Sequence, residues 1–178
     1  MRIISGNNRG KRINIPKNLP IRPTTDQSKE AIFNIIYNKY DFENIKVLDL
    51  FSGSGSISYE FSSRGANQVT SVDNNHKCVK FIKSVVSELN LNINVVKSDV
   101  IKFLKANNFR YDIIFCDPPY NYSLENYKEI QNLIFNDKTL NSNGIFILEH
   151  SKIIKLDSIE NFRESREYGG CSFSFFYL

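Results

Sequence analysis

The sequence predicts an α/β fold: a mostly parallel sheet covered by helices on both faces and finished by a C-terminal antiparallel hairpin. Three observations predict it. From residue 45 onward, short apolar runs alternate with longer amphipathic stretches, the pattern of strands joined by right-handed helical crossovers. The first of those runs opens into a glycine-bearing loop, Asp49-Leu-Phe-Ser-Gly-Ser-Gly55. The final stretch instead holds two strand-like runs joined by Gly169-Gly170, a hairpin signal.

The elements follow in order. Thr25 or Asp26 can N-cap a helix from Gln27 to Tyr40, with Ala31, Ile32, Ile35 and Ile36 as its apolar stripe. Lys46 to Phe51 reads as a buried strand and Ile57 to Ser63 as a short helix. Gln68 to Asp73 is a second strand. The helix His76 to Leu89 follows, with Val79, Ile82, Val85, Val86 and Leu89 at helical spacing. Ile93 to Val96, Tyr111 to Cys116 and Gly144 to Glu149 are further strands, separated by helices over Val100–Ala106 and Leu124–Phe135. Phe162–Tyr168 and Cys171–Tyr177 form the closing hairpin.

Composition narrows the function classes. The chain has 178 residues, 41% hydrophobic and 24% charged, which suits one domain, residues 1–178, with a packed core. No apolar run approaches the roughly 18 residues needed to span a bilayer, and Met1 to Arg12 lacks the apolar stretch of a secretory leader. Cys78, Cys116 and Cys171 stand far apart without metal spacing, as free thiols in a reducing compartment do. The histidines are His76 and His150, too few for a histidine metal site. A cytoplasmic protein without metal is expected.

Charge is unevenly spread. Residues 1–25 carry Arg2, Arg9, Lys11, Arg12, Lys17 and Arg22 and no acidic residue, whereas the whole chain is only +4. All the excess positive charge therefore sits in a basic N-terminal extension, a candidate contact for a nucleic-acid backbone. The alternative is a solvated tail that aids solubility.

Open parallel sheets bind ligands beyond the C-terminal strand ends, where strand order reverses. At the first such end, Gly53 and Gly55 let backbone approach a ligand and start a helix whose free N–H groups face it. Ser58 stands where a dinucleotide fingerprint has its third glycine, which argues against a NAD-type site. Asp73 closes the second strand and can accept from both hydroxyls of a ribose, or can cap the following helix. Asp99, after the third strand, can accept from an adenine amine or cap the helix at Val100.

The fourth strand ends in Asp117-Pro118-Pro119-Tyr120, the most specific signal in the chain. Two prolines remove two donors and fix two φ angles, which makes a rigid corner. The Asp117 carboxylate and the Pro118 carbonyl can each accept one N–H of an exocyclic amine, while Tyr120 stacks on its ring. That geometry favours a pyramidal nitrogen whose lone pair is free to attack an electrophile.

On these residues the sequence resembles the class I S-adenosylmethionine-dependent methyltransferases of the amino-group type. It resembles more closely the bacterial 16S rRNA guanine-N2 methyltransferase family. Further stretches carry that match: Arg2-Ile-Ile-Ser-Gly6 with Arg9-Gly-Lys-Arg12, Ile21 to Asp26 leading into Glu30 to Ile36, and Leu148-Glu-His-Ser151. The resemblance implies a Rossmann-like class I methyltransferase sheet, S-adenosyl-L-methionine as cofactor and 16S rRNA, free or in a partly assembled small subunit, as partner. It implies that Gly53 and Gly55 shape the methionine end of the cofactor site and that Phe51 also binds the cofactor. Asp49 would lie near the methionine amino group, Asp73 near the ribose and Asp99 near the adenine, with Arg22 and Thr24 closing over them. Asp117, Pro118, Pro119 and Tyr120 would hold the guanine, and Arg2, Arg9, Lys11 and Arg12 the RNA backbone. Ser52, Ser56 and Ser58 depart from the small residues usual in the family, and Lys29 replaces a usual Arg. Two other readings share parts of this pattern: a DNA adenine-N6 or cytosine-N4 methyltransferase, and an idle nucleotide-binding module that scaffolds RNA assembly.

Overall fold

A computed structural model describes residues 1–21, 25–136 and 139–177. Its elements are α1 (Asp26–Tyr37), β1 (Lys46–Leu50), α2 (Ser56–Ser63), β2 (Gln68–Asp73), α3 (His76–Leu89), β3 (Ile93–Lys97), α4 (Val100–Ala106), β4 (Tyr111–Cys116), α5 (Leu124–Asn136), β5 (Leu140–Ser151), β6 (Phe162–Tyr168) and β7 (Cys171–Phe176). One sheet takes them in the order β3-β2-β1-β4-β5-β7-β6. The pairs from β3 to β5 are parallel, and β7 inserts antiparallel between β5 and β6. The chain therefore winds outward from β1 to β3, then returns to lay β4 on the other side of β1. That reversal opens a crevice between the ends of β1 and β4.

Side chains alternate across the sheet and sort into two cores. Val47, Ile113, Ile147 and Phe173 pack with Ile32, Phe33 and Phe61 of α1 and α2. Their neighbours Leu48, Ile114, Leu148 and Phe176 pack with Leu104, Tyr127 and Ile130 of α4 and α5. Both faces of the central strands are buried, which is why these strands read as nearly continuous apolar runs.

Two boundaries differ from the sequence reading by three residues or more, and several others by one or two. Helix α1 stops at Tyr37, and Asn38 caps it; the Tyr40 hydroxyl donates instead to the Asn143 carbonyl at 2.9 Å. Strand β5 starts at Leu140, which pairs with Tyr111 ahead of a register shift. Asn141, Ser142 and Asn143 carry no apolar alternation to reveal it.

The basic N-terminal segment is folded onto the domain rather than trailing from it. Ile3 N–H donates to the Lys11 carbonyl at 3.0 Å and Ile13 N–H to the Met1 carbonyl at 3.0 Å, so residues 1–13 double back as a small hairpin. Ile3 and Ile13 are buried in the core beside α1. The Glu60 carboxylate of α2 accepts from the backbone N–H groups of Ile4 (2.9 Å) and Ser5 (3.0 Å). Gly6, at φ +81°, lies so close to α2 that a Cβ would stand 1.8 Å from the Ser63 carbonyl oxygen, so no other residue fits there.

Candidate active site

The loop after β1 is stitched to the end of β2. Ser52 N–H donates to the Val72 carbonyl at 3.1 Å, and its single hydroxyl proton is shared between the carbonyls of Asp49 (2.8 Å) and Val72 (3.0 Å). The Asp73 carboxylate accepts from Gly53 N–H at 2.8 Å and from Asn75 N–H at 2.8 Å, one on each oxygen. Phe51 takes φ +59°, a left-handed conformation a bulky side chain rarely adopts, and its ring stands edge-on to Tyr122 at 5.5 Å. Gly53 and Gly55 have φ +53° and +79°. Gly55 serves packing: a Cβ there would stand 2.6 Å from the Tyr59 ring.

Asp117 follows β4, and its N–H donates to the Leu50 carbonyl of β1 at 3.3 Å. That bond brings the proline corner beside the glycine loop. Pro118 is buried, Pro119 is exposed and Tyr120 is 43% exposed; the Pro119 carbonyl accepts from Tyr122 N–H at 3.0 Å to close the turn.

A cleft of about 490 Å³ runs along these strand ends, a size suited to a nucleoside-scale ligand. Asp73, Asn75 and Cys78 line one end, Phe51, Gly53 and Asp117 to Tyr122 the middle, and Glu149, Gly169 and Cys171 the other. Pro20, Ile21, Thr25 and Ser28 form the side contributed by the N-terminal segment and α1. A smaller cavity of about 30 Å³ lies against Asp49, Phe51, Gly53 and Asp117.

The carboxylates in this region are held in unusual states. Burial pushes Asp49 up to about 7, against the hydrogen bonds it accepts from Ser58. Those come from the Ser58 hydroxyl at 2.5 Å and the Ser58 N–H at 3.1 Å. The serine at the third-glycine position is thus the partner of a buried acid. Burial also raises Asp73, while the Asn75 and Gly53 amides pull it back down. At the far end, burial and then the charge of Glu149 push the Cys171 thiol up to about 12.

The structure brings Asp49, Phe51, Gly53, Asp73 and the residues 117–120 to one crevice. It sets Asp99 apart: that side chain is exposed, accepts the Lys102 N–H at 3.0 Å as the N-cap of α4, and is not among the described residues lining the cleft. Arg22 and Thr24 lie outside the described residues. Arg2, Arg9, Lys11 and Arg12 are all exposed on the N-terminal hairpin, and Arg2 pairs with Asp26 at 2.9 Å. Sequence reasoning passed over Glu149, Ser28 and Tyr122 as site residues. The signal for Glu149 was present: it is an acid ending an apolar strand run, like Asp73 and Asp117. His150 beside it is structural, with its ring nitrogens bonded to the Ser151 carbonyl (2.9 Å) and the Ser174 hydroxyl (2.8 Å).

In chemical terms the crevice could hold a nucleoside against Asp73, a cationic group against Asp49, and a flat amine-bearing ring against the proline corner. Among the described residues no cluster of acids, histidines and cysteines has the form of a metal site, and no helix is long and apolar enough to cross a membrane.

Comparison with known proteins agrees with this geometry. A hypothetical protein of Thermus thermophilus superposes with a TM-score of 0.86 at 26% identity, covering 100% of this chain and 99% of that one. A Thermus thermophilus 16S rRNA N2 methyltransferase, in complex with AdoMet and guanosine, superposes with a TM-score of 0.69 at 18% identity. It covers 86% of this chain and 43% of that one, a likeness of fold: the class I S-adenosylmethionine-dependent methyltransferase sheet. The ribosomal RNA small subunit methyltransferase D of Buchnera aphidicola is 38% identical over 153 residues, 84% of this chain and 78% of that protein. Residues 1–177 match the family model described as conserved hypothetical protein 95. This chain belongs to that family, together with the ribosomal RNA small subunit methyltransferases D it resembles.

Proposed function

We propose that this chain transfers the sulfonium methyl of S-adenosyl-L-methionine to the exocyclic N2 of a guanine in 16S rRNA. One observation carries the reading: the 3.3 Å bond from Asp117 N–H to the Leu50 carbonyl, which sets the amine-binding corner beside the glycine loop. The residues present fit the cofactor. After accepting from Gly53 and Asn75, the Asp73 carboxylate keeps lone pairs for ribose hydroxyls. Asp49 lines the small cavity and suits an α-amino cation. When bound, S-adenosyl-L-methionine supplies an electrophilic methyl carbon on a cationic sulfur.

The chain's own groups handle the acceptor. A guanine amine is a weak nucleophile because its lone pair is delocalised into the ring. The Asp117 carboxylate and the Pro118 carbonyl accept its two N–H groups and hold the nitrogen pyramidal, while Tyr120 stacks on the base. Charge developing on that nitrogen is stabilised by the Asp117 carboxylate, so no strong base is needed before transfer, and the surplus N2 proton leaves through that carboxylate to solvent. A paired guanine must leave its stack to reach the exposed Tyr120.

The docked hairpin presents Arg2, Arg9, Lys11 and Arg12 for the RNA backbone. The small-subunit ribosomal RNA named for the Buchnera relative supports 16S rRNA as the partner; we take the substrate as free RNA or a partly assembled subunit and the compartment as the cytoplasm. Labelled cofactor tests the reading: methyl groups are expected in small-subunit RNA and absent from unmodified duplex DNA. Incorporation into DNA adenine or cytosine would contradict it.

A further inference from the structure

The cleft has a second half that the transfer chemistry does not use. In the sheet order, Asp73 ends β2 on one side of the crevice, while Glu149 and Cys171 lie on β5 and β7 on the other. The register Phe115↔Ile147 and Cys116↔Leu148 brings Asp117 and Glu149 to neighbouring strand ends. Phe115 and Ile147 lie on the face covered by α1 and α2. By the alternation of strands, Asp117 and Glu149 therefore point to that same face, about one strand spacing of 4.8 Å apart. Glu149 is only 5% exposed, yet it lines the cleft. Ser28 of α1 and Gly169 complete the wall, and a Cβ on Gly169 would stand 2.7 Å from the Ser28 hydroxyl.

We infer that Glu149 is a specificity-determining residue that accepts the N1–H of the target base and so selects guanine over adenine and cytosine. The inference rests on the guanine-N2 reading. Guanine presents N1–H and its N2 amine side by side, two donors for two adjacent carboxylates. Adenine and cytosine present a ring nitrogen lone pair next to their amines, and a buried carboxylate facing that lone pair repels it. The proline corner alone recognises any exocyclic amine. Glu149 beside it distinguishes which ring carries that amine.

The test uses the full-length protein and small-subunit RNA carrying one replaced base at the mapped target. With 1-deazaguanine, which keeps O6 and the N2 amine but lacks N1–H, kcat/KM of the wild-type protein is expected to fall on the order of 100-fold. With 2-aminopurine, whose N1 is an acceptor, the wild-type protein is expected to discriminate as strongly, and Glu149→Gln to narrow that ratio at least tenfold by offering a donor. Calorimetry should show the variant binding S-adenosyl-L-methionine within about threefold of wild type. Equal transfer to guanine and 1-deazaguanine overturns the inference without any variant. So does an unchanged 2-aminopurine ratio in a Glu149→Gln protein that binds cofactor normally. Methyl found at N2 of guanine but without discrimination sinks only the role of Glu149, whereas methyl found on adenine N6 or cytosine N4 sinks the guanine reading as well.

Discussion

Asp73, the last residue of β2, lines the cleft, and Asp49, the penultimate residue of β1, lines the small cavity, yet their surroundings give them different tasks. Asp73 is held by two backbone amides at 2.8 Å, and Asp73→Ala is expected to weaken cofactor binding at least tenfold by calorimetry. Asp49 is buried against Ser58, with its pKa raised from 3.8 to about 7. A raised folded-state pKa means that the bound proton stabilises the fold at acid pH and that this contribution is lost as pH rises through about 7. Cofactor affinity should run the other way, increasing between about pH 6 and pH 8 as Asp49 ionises to meet a cationic amino group. In Asp49→Asn both dependences should flatten, read by thermal unfolding and by calorimetry across that range. A wild-type affinity independent of pH would remove Asp49 from the cofactor site. Asp73 and Asp117 were legible because an open parallel sheet binds ligands beyond its C-terminal strand ends, where these acids stand; the role of Asp49 came from the family resemblance. The pairing of Asp49 with Ser58 was not legible, because only the folded turn brings residues 49 and 58 together.

The N-terminal hairpin, α1 and α2 are joined by a buried charge cluster. Lys29, 1% exposed, donates from Nζ to the Arg2 carbonyl at 2.8 Å and to the Ser56 hydroxyl at 3.3 Å, and it faces Glu60 at 3.6 Å. Burial lowers the Lys29 pKa, against the attraction of Glu60. One cation thus ties the basic hairpin to the first turn of α2. Gly6→Ala is expected to cost about 2 kcal/mol or more of stability by forcing the hairpin off Ser63, measured by denaturant unfolding. Deleting the segment would open the core around Ile3 and Ile13, so its charges are better tested in place. Replacing Arg9, Lys11 and Arg12 with alanine should reduce the slope of log affinity for RNA against log salt by about 2 to 3. An unchanged slope would leave those residues as solubility charges only. Each strand and crossover helix was readable from apolar spacing, because each buries one face or two. The docking of the hairpin was not, since it depends on backbone amides meeting Glu60 across 55 and 56 residues of sequence.

For the molecule as a whole, alternation predicted a parallel sheet, whereas the order β3-β2-β1-β4-β5-β7-β6 comes from tertiary packing that local spacing does not encode. That order opens a crevice between β1 and β4 and runs the cleft from Asp73 to Glu149. The glycine loop and proline corner, 62 residues apart from Gly55 to Asp117 in sequence, meet because β4 returns to the side of β1. The proposed transfer to an amine depends on that meeting. Its most direct measurement is a single turnover with labelled S-adenosyl-L-methionine, in which the modified nucleotide of small-subunit RNA is mapped for wild type and for Asp117→Ala. The expected result is a methyl on N2 of one guanine with wild type, and a rate at least about 100-fold lower in the variant with cofactor affinity within a few-fold. Equal rates in the two proteins, or a methyl on another atom, would contradict it.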